Sequence, residues 1–315
     1  MLRHREETPV RPSRVVIVGA SGFVGQAAMR ALREQSIETI GLSSREVDLC
    51  HPEAISALRT IVQPDDVLIM VSAITPDKGK DIGTFKRNVA MGEHVSACLA
   101  QARCAQVIYL SSDAVYADDA SLIRETTPTT PTTWHGMMHL VREQLLAQTL
   151  RPSGTPLLCL RPCGLYGPED THNSYGPNRF LRTARSEGRI TLFGGGEERR
   201  DHVLVQDLAQ LIGECVAHRS EGTLNIATGR SVSFFELAQM VAQLSGGDVS
   251  VDQLPRTVPV THRYFDIAAR VRAFPRVRLT PLAEGLAACV QAAGGHADEI
   301  SMERGAQSPT NGARR

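Results

Sequence analysis

The chain has 315 residues, of which 42% are hydrophobic, and its 34 basic side chains balance its 34 acidic ones. This balance provides no electrostatic attraction toward nucleic acid or an anionic membrane, and no apolar run approaches the length of a membrane span. Seven cysteines without a CxxC pair favour reduced thiols in a cytoplasmic protein, with no metal site. We therefore expect a globular protein whose partners include neither nucleic acid nor a membrane.

Apolar strands alternate with helices over the first half of the chain. The run RVVIVGA at 14–20 is nearly all apolar and β-branched, which is typical of a strand buried on both faces of a parallel sheet. The later strands are predicted at 38–42, 67–71, 107–110 and 156–160, and the helices at 23–33, 53–61, 85–103 and 135–150. This alternation predicts an α/β fold with a Rossmann-type doubly wound parallel sheet over 14–165.

The composition of the chain changes after residue 165, where glycine and proline become more frequent and the predicted elements become shorter. Helices are predicted at 177–187, 205–217 and 233–244, and strands at 190–193 and 223–226. We expect 166–293 to form mainly a smaller C-terminal substrate-binding domain, with elements near 200–230 returning to the first sheet. The ends of the chain, 1–13 and 294–315, predict a disordered lead and a disordered tail.

Three glycines lie at the junction between the first strand and the first helix. A turn there needs a residue without a Cβ, the backbone must approach a pyrophosphate closely, and the first helical amides must point at it. A tight turn without a ligand is the alternative, but the strand–turn–helix context favours a dinucleotide. The expected contacts are Gly19, Ser21, Gly22, Phe23, Val24 and Gly25.

The end of the second strand bears on the choice of dinucleotide. A carboxylate there would accept the ribose hydroxyls of NAD, whereas this chain has Ser43, Ser44 and Arg45. Hydroxyls and a guanidinium suit a 2′-phosphate, so NADP is preferred, with NAD as the other cofactor considered. The alternative is that Arg45 is a solvated loop charge. Cofactor contacts are expected from Ser44, Arg45, Asp48, Leu49, Ser72, Ala73 and Ile74.

Further motifs follow in the order in which one protein family carries them. They are Asn88 in the long helix, LSSDAVYA at 110–117, Glu125 and Pro128, LRPCGLYGP at 160–168, RRDHVLVQDLA at 199–209 and RYFDIAA at 263–269. With the glycine loop, they make the chain resemble the extended short-chain dehydrogenase/reductases, the group of nucleotide-sugar epimerases, dehydratases and reductases. The resemblance covers nearly everything from residue 14 to about residue 286.

The resemblance implies catalytic roles after the fourth strand. Ser112 would hydrogen-bond the reacting sugar oxygen, and Asp113 is a second catalytic candidate. In the family's dehydratases an Asp-Glu pair relays protons here. This chain has Ala114 in place of the glutamate, which favours an epimerase or a keto-sugar reductase.

The resemblance also implies binding roles. Arg161 and Pro162 would lie beside the nicotinamide, and Asn88 would contribute to the cofactor site. Arg200 and Arg263 would clamp the diphosphate of the substrate, since a forked guanidinium suits that group. Surface ion pairing is the alternative for both arginines.

The Tyr-x-x-x-Lys pair of the family is replaced in this chain. In the family the tyrosine is the general acid/base, and the lysine lowers its pKa and holds the nicotinamide ribose. The matching stretch, WHGMMHLVREQ, aligns His135 with the tyrosine and His139 with the lysine, with Glu143 in register. None of the five tyrosines has a lysine four residues later, so no shift of the alignment restores the pair.

Three interpretations of this departure are open. In the first, His135 replaces the tyrosine as acid/base, for which an imidazole is suited near neutral pH, and His139 contacts the ribose. In the second, the protein binds the dinucleotide and a nucleotide sugar without turnover, as a sensor or partner subunit. In the third, the two histidines bind a metal, but no third ligand with suitable spacing is present, so we expect no metal.

A polar loop, THNSYGPNRF, follows the nicotinamide segment. The resemblance places this loop over the sugar pocket, with Asn173 and Asn178 as the expected substrate contacts. A helix start near Pro177 with ordinary loop polarity is the alternative. The expected function is hydride transfer at a carbon of a nucleotide-activated sugar, and the resemblance suggests a homodimer.

Overall fold

The computed structural model describes residues 2–170, 172–246 and 248–292. Within these residues the strands β1–β12 are Arg14–Val18, Thr39–Leu42, Asp66–Met70, Gln106–Leu110, Leu157–Pro162, Gly164–Tyr166, Arg189–Phe193, Arg199–Arg200, His202–Leu204, Gly222–Ile226, Val232–Ser233 and Ser250–Leu254. The helices α1–α9 are Phe23–Glu34, Glu53–Ile61, Ile82–Leu99, Trp134–Leu150, Pro177–Glu187, Val205–Ala217, Phe234–Leu244, Ala268–Ala273 and 282–292. A short 3₁₀ helix, Asp113–Val115, follows β4.

Six parallel strands form the central sheet, in the order β10-β5-β4-β3-β1-β2. β1 pairs with β2 on one side and with β3 on the other, so the strand order reverses between β1 and β3. In open α/β sheets, ligands bind beyond the carboxyl ends of the strands at such a reversal. The predicted Rossmann-type doubly wound sheet is confirmed, and its reversal point is where a ligand cleft is expected.

Alternate residues of the buried strands face opposite helical layers. In β1, Val15 and Ile17 belong to the core shared with α1 and α6, whereas Val16 and Val18 belong to the core shared with α2, α3 and α4. All four side chains are at most 1% exposed. Successive Cβ atoms of a strand point to opposite faces, so a sheet covered on both sides requires a continuous apolar run.

Elements after residue 165 build a second core. Phe180 of α5, Leu192 of β7 and Phe234 and Leu237 of α7 are buried together. β7 pairs with β12, and β6 pairs with β9, in small parallel two-stranded sheets. β10, in contrast, pairs with β5 at the edge of the central sheet, and α6 packs on α1, so both belong to the first unit.

Local capping and short strands account for some of the differences from the predicted elements, whereas β12, α8 and α9 were also not predicted. α3 begins at Ile82, earlier than predicted, because the Asp81 carboxylate accepts a hydrogen bond of 2.7 Å from the Thr84 amide. Such a cap satisfies an amide that has no partner within the helix. The strands β6, β8, β9 and β11 were not predicted, since two or three residues carry too little periodicity to be recognised.

The first residues pack on the first unit, where the sequence predicts a disordered lead. Arg3 forms an isolated β-bridge with Glu221, and the Val10 amide donates to the Ala217 carbonyl. The Arg3 guanidinium also lies 2.7 Å from the Glu221 carboxylate, which is 218 residues away in sequence. Partners so distant along the chain leave no local signal, which is why polar composition alone indicated disorder.

No helix within the described residues is long and apolar enough to cross a membrane. All seven cysteines are free, six of them buried and Cys50 partly buried. The predicted disordered tail, 294–315, lies outside the described residues.

The start of α4 lies directly against the 3₁₀ helix after β4. Gly136 is buried there, and a Cβ on it would lie 2.0 Å from the Ala114 carbonyl oxygen. The Thr133 hydroxyl caps α4 by accepting a hydrogen bond of 3.1 Å from the Gly136 amide. This contact brings His135 to the same cavity as Ser112.

Gly136→Ala should lower the free energy of unfolding by about 1–3 kcal/mol, because the added methyl group overlaps a backbone carbonyl. Gly83→Ala is the matched control, since it lies in the first turn of α3, is exposed, and would meet only the Asp81 side chain, at 3.2 Å. Alanine is the better helix former, but its methyl group would contact the Asp81 oxygen that caps α3, so the control should lose less stability than Gly136→Ala. Equal urea midpoints for the two variants would contradict the tight contact at Gly136.

Candidate active site

A cleft of about 650 Å³ opens beyond the carboxyl ends of the central strands. It begins at the glycine loop after β1 and passes the end of β3 and the turn after β4. It then reaches the segment between β5 and β6 and the loop before α5. The cleft therefore lies at the reversal of the strand order, where this fold class places its ligands.

Two glycines shape the first part of the cleft. Gly19 has a φ of +94°, and a Cβ on it would lie 2.7 Å from the backbone of Ser72. A Cβ on Gly25 would lie 2.2 Å from the Gly19 carbonyl oxygen. α1 starts at Phe23, and no side chain caps its first amides. The backbone forms a cradle at an uncapped helix N-terminus, which fits the pyrophosphate of a dinucleotide.

A carboxylate that sequence reasoning did not single out lies at the end of β2. Glu46 accepts hydrogen bonds from the Ser43 amide at 2.8 Å and the Ser43 hydroxyl at 2.5 Å, and these bonds lower the pKa of its carboxyl. Ser44 lines the cleft, whereas Arg45 is exposed and does not. The available signal was a glutamate three residues after a serine in a turn, which is a common local pairing.

Asn88 supports the cleft wall after β3 without lining the cleft. Its side-chain amide accepts from the Ile74 N–H at 2.9 Å and donates to the Ile74 carbonyl at 2.9 Å. The residue is 2% exposed. Direct contact with a cofactor was expected, but both polar atoms of the side chain are engaged by backbone. Asn88 therefore positions Ile74, which does line the cleft.

Two imidazoles of α4 meet in the middle of the cleft. The ring centroids of His135 and His139 lie 4.6 Å apart, with the planes nearly perpendicular at 86°. Burial, helped by the charge of Arg142, lowers the pKa of His135 to about 4. Burial also lowers the pKa of His139 well below its ordinary value, with contributions from His135 and Arg142. Both rings are therefore neutral at physiological pH.

His135 also lines a second, mostly apolar cavity of about 700 Å³. The walls of this cavity come from the starts of α3 and α4. They include Phe85 and Trp134, whose ring centroids lie 5.2 Å apart. His135 thus lies between the polar cleft and this apolar cavity. The apolar surroundings explain why its imidazole is strongly desolvated although it lies near the surface.

Ser112 and Asp113 lie in the turn that follows β4. The Ser112 hydroxyl accepts from the Ala114 amide at 3.1 Å and lines the cleft. Asp113 pairs with Arg263, with 3.0 Å between Oδ2 and Nη1. Burial raises the pKa of Asp113, and the charges of Arg263 and Arg200 oppose that shift. Ser112 therefore brings its hydroxyl to the cleft, where it donates a long hydrogen bond of 3.4 Å to Asp113, and Asp113 is also paired with its arginine.

The two arginines expected to clamp a diphosphate are engaged inside the fold. Arg263 is 5% exposed and donates to the carboxylates of Asp113 and Asp118 and to backbone carbonyls. Arg200 donates to the Thr261 carbonyl at 2.7 Å and to the Thr261 hydroxyl at 3.0 Å. Neither arginine lines the cleft. The geometry differs from the expected clamp because these donors already have intramolecular acceptors.

Arg161 also differs from its expected place beside the nicotinamide. It forms a buried ion pair with Glu143, at 2.6 Å, and donates to the Tyr116 hydroxyl at 2.9 Å. Pro162, the next residue, lines the cleft, whereas Arg161 does not. Neighbouring residues of a strand point to opposite sides, so only one of the two can face the ligand.

The loop before α5 contributes Asn178 to the cleft but not Asn173. Asn178 donates a hydrogen bond of 2.6 Å to Asp170 and lines the cleft. Asn173 is exposed and lies outside it. His172 reaches across the cleft, with Nδ1 3.2 Å from the Thr75 hydroxyl. The loop therefore contacts the opposite side of the cleft through His172, whereas the predicted contact residue Asn173 lies outside the cleft.

His202 of β9 is a cleft residue that sequence reasoning missed. It is 5% exposed, and neither ring nitrogen has a hydrogen-bond partner within the described residues. Gly164, its partner in β6, makes room, since a Cβ there would lie 2.9 Å from Nδ1. Burial, with the charge of Arg200, lowers the pKa of His202 to about 4. The only sequence signal was a histidine at the start of an otherwise apolar run.

Most of the predicted site residues meet at this cleft. Those that line it are Gly19, Ser21, Gly22, Phe23, Val24, Gly25, Ser44, Asp48, Ser72, Ala73, Ile74, Ser112, Asp113, His135, His139, Pro162 and Asn178. Those that do not are Arg45, Leu49, Asn88, Arg161, Asn173, Arg200 and Arg263. Leu49 is 3% exposed and packs in an apolar core instead of flanking a ligand. In the part of the chain that the structure describes, no group of three or more metal-ligating side chains could hold a metal ion.

The low pKa values of His135 and His202 predict how stability depends on pH. Between pH 6.5 and about 4 the unfolded chain binds protons at these histidines and the folded protein does not, so the free energy of unfolding falls as the pH falls. His202→Phe removes one such group. The variant should therefore lose less stability than wild type between pH 7 and pH 4, by on the order of 3 kcal/mol.

Urea unfolding at a series of pH values measures this difference. His51→Phe is the control, because the side chain of His51 is 68% exposed, and it should keep the wild-type pH dependence. The same dependence in all three proteins would contradict the burial of His202 as an unpartnered neutral ring.

Comparison with known proteins agrees with this architecture. The sequence model of the "NAD dependent epimerase/dehydratase family" matches residues 15–227. A GDP-L-fucose synthase from Sinorhizobium fredii (strain NBRC 101917 / NGR234) is 25% identical over 259 residues, covering 76% of this chain and 82% of the relative. The family match spans more than half of the chain.

Solved structures share the fold. UDP-glucose 4-epimerase from Thermus thermophilus, in complex with NAD, has a TM-score of 0.78 at 20% identity, covering 88% of this chain and 98% of that one. A GDP-L-fucose synthetase from Naegleria fowleri bound to NADP has a TM-score of 0.79 at 17% identity, covering 91% and 96%. At these identities the likeness shows the fold, and the family match shows the relationship. The chain belongs to the NAD-dependent epimerase/dehydratase family.

Proposed function

We propose that this protein is an NAD(P)-dependent enzyme that acts by hydride transfer at a carbon of a nucleotide-activated sugar, as an epimerase or a keto-sugar reductase. The observation that carries the proposal is the placement of His135 and Ser112 on the same cleft as the glycine cradle. An acid/base and a hydrogen-bonding hydroxyl thus share one cavity with a dinucleotide site. Membership of the family and the names of the relatives support this reaction class.

The cofactor site would be built from the first half of the cleft. The loop 19–25 would hold the pyrophosphate, Ser44 and Asp48 would lie near the adenosine, and the segment 72–74 would line the path to the nicotinamide. When bound, the nicotinamide supplies a reversible acceptor of hydride. One structural neighbour is described with NAD and another with NADP, which supports a dinucleotide of this class.

His135 is suited to move the proton that accompanies hydride transfer. In the oxidative direction, its neutral imidazole would take the proton of the substrate hydroxyl while the hydrogen on the same carbon would leave as hydride to the bound dinucleotide, so that the carbon becomes a carbonyl carbon. In an epimerase, the imidazolium formed in this step would return the proton to the carbonyl oxygen. In a reductase, the neutral ring would first have to take up a proton from solvent. Ser112 would hydrogen-bond the same oxygen. Burial keeps the resting ring of His135 in its neutral, proton-accepting form.

The far end of the cleft favours a polar substrate. Its lining includes Asn178 and His202, with Lys78 as a cation on the same cleft. Two free ring nitrogens on His202, one donor and one acceptor, suit a sugar hydroxyl. Epimerisation or reduction is favoured over water loss, because Asp113 is held by Arg263 and is followed by Ala114.

The alternative function is a binding protein without turnover. The observation that favours it is the hydrogen bond between the Tyr109 hydroxyl and Nδ1 of His139. This bond leaves only Nε2 of His139 for contact with a ligand, so the ring cannot relay a proton. The first experiment is to denature the purified protein, identify any released dinucleotide by mass spectrometry, and titrate with NADH and NADPH. Tightly held NAD supports an epimerase, and exchangeable NADPH supports a reductase. Binding without turnover across a panel of UDP- and GDP-sugars supports the alternative.

His135→Phe should reduce turnover by about 10²–10⁴-fold, because it removes the acid/base while keeping a ring of similar size. The dissociation constant for the dinucleotide should stay within about twofold, since the cradle and the segment after β3 are untouched. Product sugar is followed by NMR and reduced nicotinamide by absorbance. Gln148→Ala, an exposed change on the same helix, should behave as wild type. Unchanged turnover in His135→Phe would remove His135 from the mechanism.

We further propose that NADPH is preferred to NADH. Arg45 does not line the cleft, but it follows Ser44, which does, and its exposed guanidinium would turn toward a bound 2′-phosphate. The carboxylate of Glu46, which accepts hydrogen bonds from Ser43, would repel that phosphate. Arg45→Ala should weaken NADPH binding by about tenfold, in line with loss of a charge-assisted hydrogen bond, and leave NADH unchanged. Glu46→Gln should strengthen NADPH binding only. Fluorescence titration gives both constants, and equal effects of Arg45→Ala on the two cofactors would refute the preference.

A further inference from the structure

A buried arginine lies one helical turn beyond His139 and has no role in the reaction described above. Arg142 is 0% exposed. Its guanidinium donates to the Asn88 carbonyl at 2.6 Å, to the Ser72 carbonyl at 2.8 Å and to Asn88 Oδ1 at 3.2 Å. Within the described residues, no carboxylate lies at ion-pair distance from it. A buried cation without a counter-ion is costly, so its position calls for an explanation.

The fold provides a specific place for this side chain. Gly92 of α3 faces it, and a Cβ on Gly92 would lie 2.6 Å from Cγ of Arg142. The missing side chain opens a passage between α3 and α4 along which Arg142 reaches the end of β3. There its charge acts on both imidazoles of α4, contributing to the low pKa of each.

The hydroxyl of Tyr109 lies on the inner side of His139. Tyr109 is 0% exposed, and its hydroxyl is 2.7 Å from Nδ1 of His139. Within the described residues, that nitrogen is the only acceptor within hydrogen-bond distance of the hydroxyl. A buried O–H without an acceptor is costly, so Tyr109 must donate and Nδ1 must accept. The charge of Arg142 opposes a second proton on the ring, which keeps the imidazole neutral.

The consequence concerns the other nitrogen of the ring. A neutral imidazole carries one proton, and with Nδ1 as acceptor the proton is on Nε2. His139 lines the cleft, and Nε2 makes no hydrogen bond within the described residues. We propose that Tyr109 is a positioning residue that holds His139 as the Nε2–H tautomer, a fixed hydrogen-bond donor for a hydroxyl oxygen of the cofactor ribose. The identity of that acceptor rests on the proposed function, whereas the tautomer does not.

The tautomer is measured directly by long-range ¹H–¹⁵N NMR of the full chain labelled with ¹⁵N-histidine, with His139→Gln used to assign the resonances. Wild-type protein should show a protonated Nε2 and an unprotonated Nδ1 at His139. Tyr109→Phe should populate the Nδ1–H tautomer. Tyr116→Phe is the matched control, because Tyr116 is also 0% exposed but its hydroxyl bonds Asn225 and Arg161, and it should leave His139 unchanged.

Dinucleotide affinity provides the second readout. Tyr109→Phe should weaken NADH and NADPH about fivefold each, consistent with loss of one neutral hydrogen bond, and Tyr116→Phe should not. Arg142→Met should keep the Nε2–H tautomer at neutral pH but let the ring take up a second proton at higher pH than in wild type, whereas Arg142→Lys, which keeps the charge, should titrate as wild type. An Nδ1–H tautomer in wild type, or an unchanged one in Tyr109→Phe, overturns the proposal. Lack of turnover in wild type with the Nε2–H tautomer intact would instead count against the proposed enzyme alone.

Discussion

The start of α4 lies against the turn after β4, and this close approach exists because Gly136 has no side chain. α4 carries His135, His139 and Arg142 at spacings that share one helix face. One helix placement therefore delivers two imidazoles to the cleft and a guanidinium to the end of β3. A displaced α4 would move all three away from the Ser112 turn at once, so their placement relative to that turn depends in part on this contact.

Buried charges around the cleft are arranged in two ways. Arg161 pairs with Glu143, and Arg263 pairs with Asp113, so that each pair offsets part of the cost of its own burial. Arg142 instead donates to carbonyl oxygens, and no carboxylate within the described residues pairs with it. A polar interior of this kind keeps imidazoles neutral, because a proton on either ring would face both desolvation and a fixed positive charge.

Our sequence interpretation, in which His135 and His139 replace the Tyr-x-x-x-Lys pair, has a physical basis in this setting. A lysine at position 139 would combine a hydrogen-bond donor and a positive charge in one side chain. In our proposal the two properties are divided, since His139 donates through Nε2 and Arg142 carries the charge. Gly92 makes this division sterically feasible. In this proposal, the histidine at position 139 of α4 is therefore linked to Gly92 of the neighbouring helix α3.

Local sequence pattern was sufficient to predict the strands of the central sheet. It also singled out the glycine loop and the histidines His135 and His139, which line the cleft. Period and composition act over a few residues, and the glycine loop must sit where a strand meets a helix. Pairing between distant residues had no such signal. Arg200 and Arg263 were predicted to bind a diphosphate, but in the structure Arg200 donates to Thr261 and Arg263 pairs with Asp113. The sequence pattern singled out neither Glu46 nor His202. The sequence by itself determined which segments become strands and helices, because those preferences are local. Only the tertiary structure decided which polar side chains remain free to meet a ligand, because a hydrogen-bond donor can be assigned only when its acceptors in space are known.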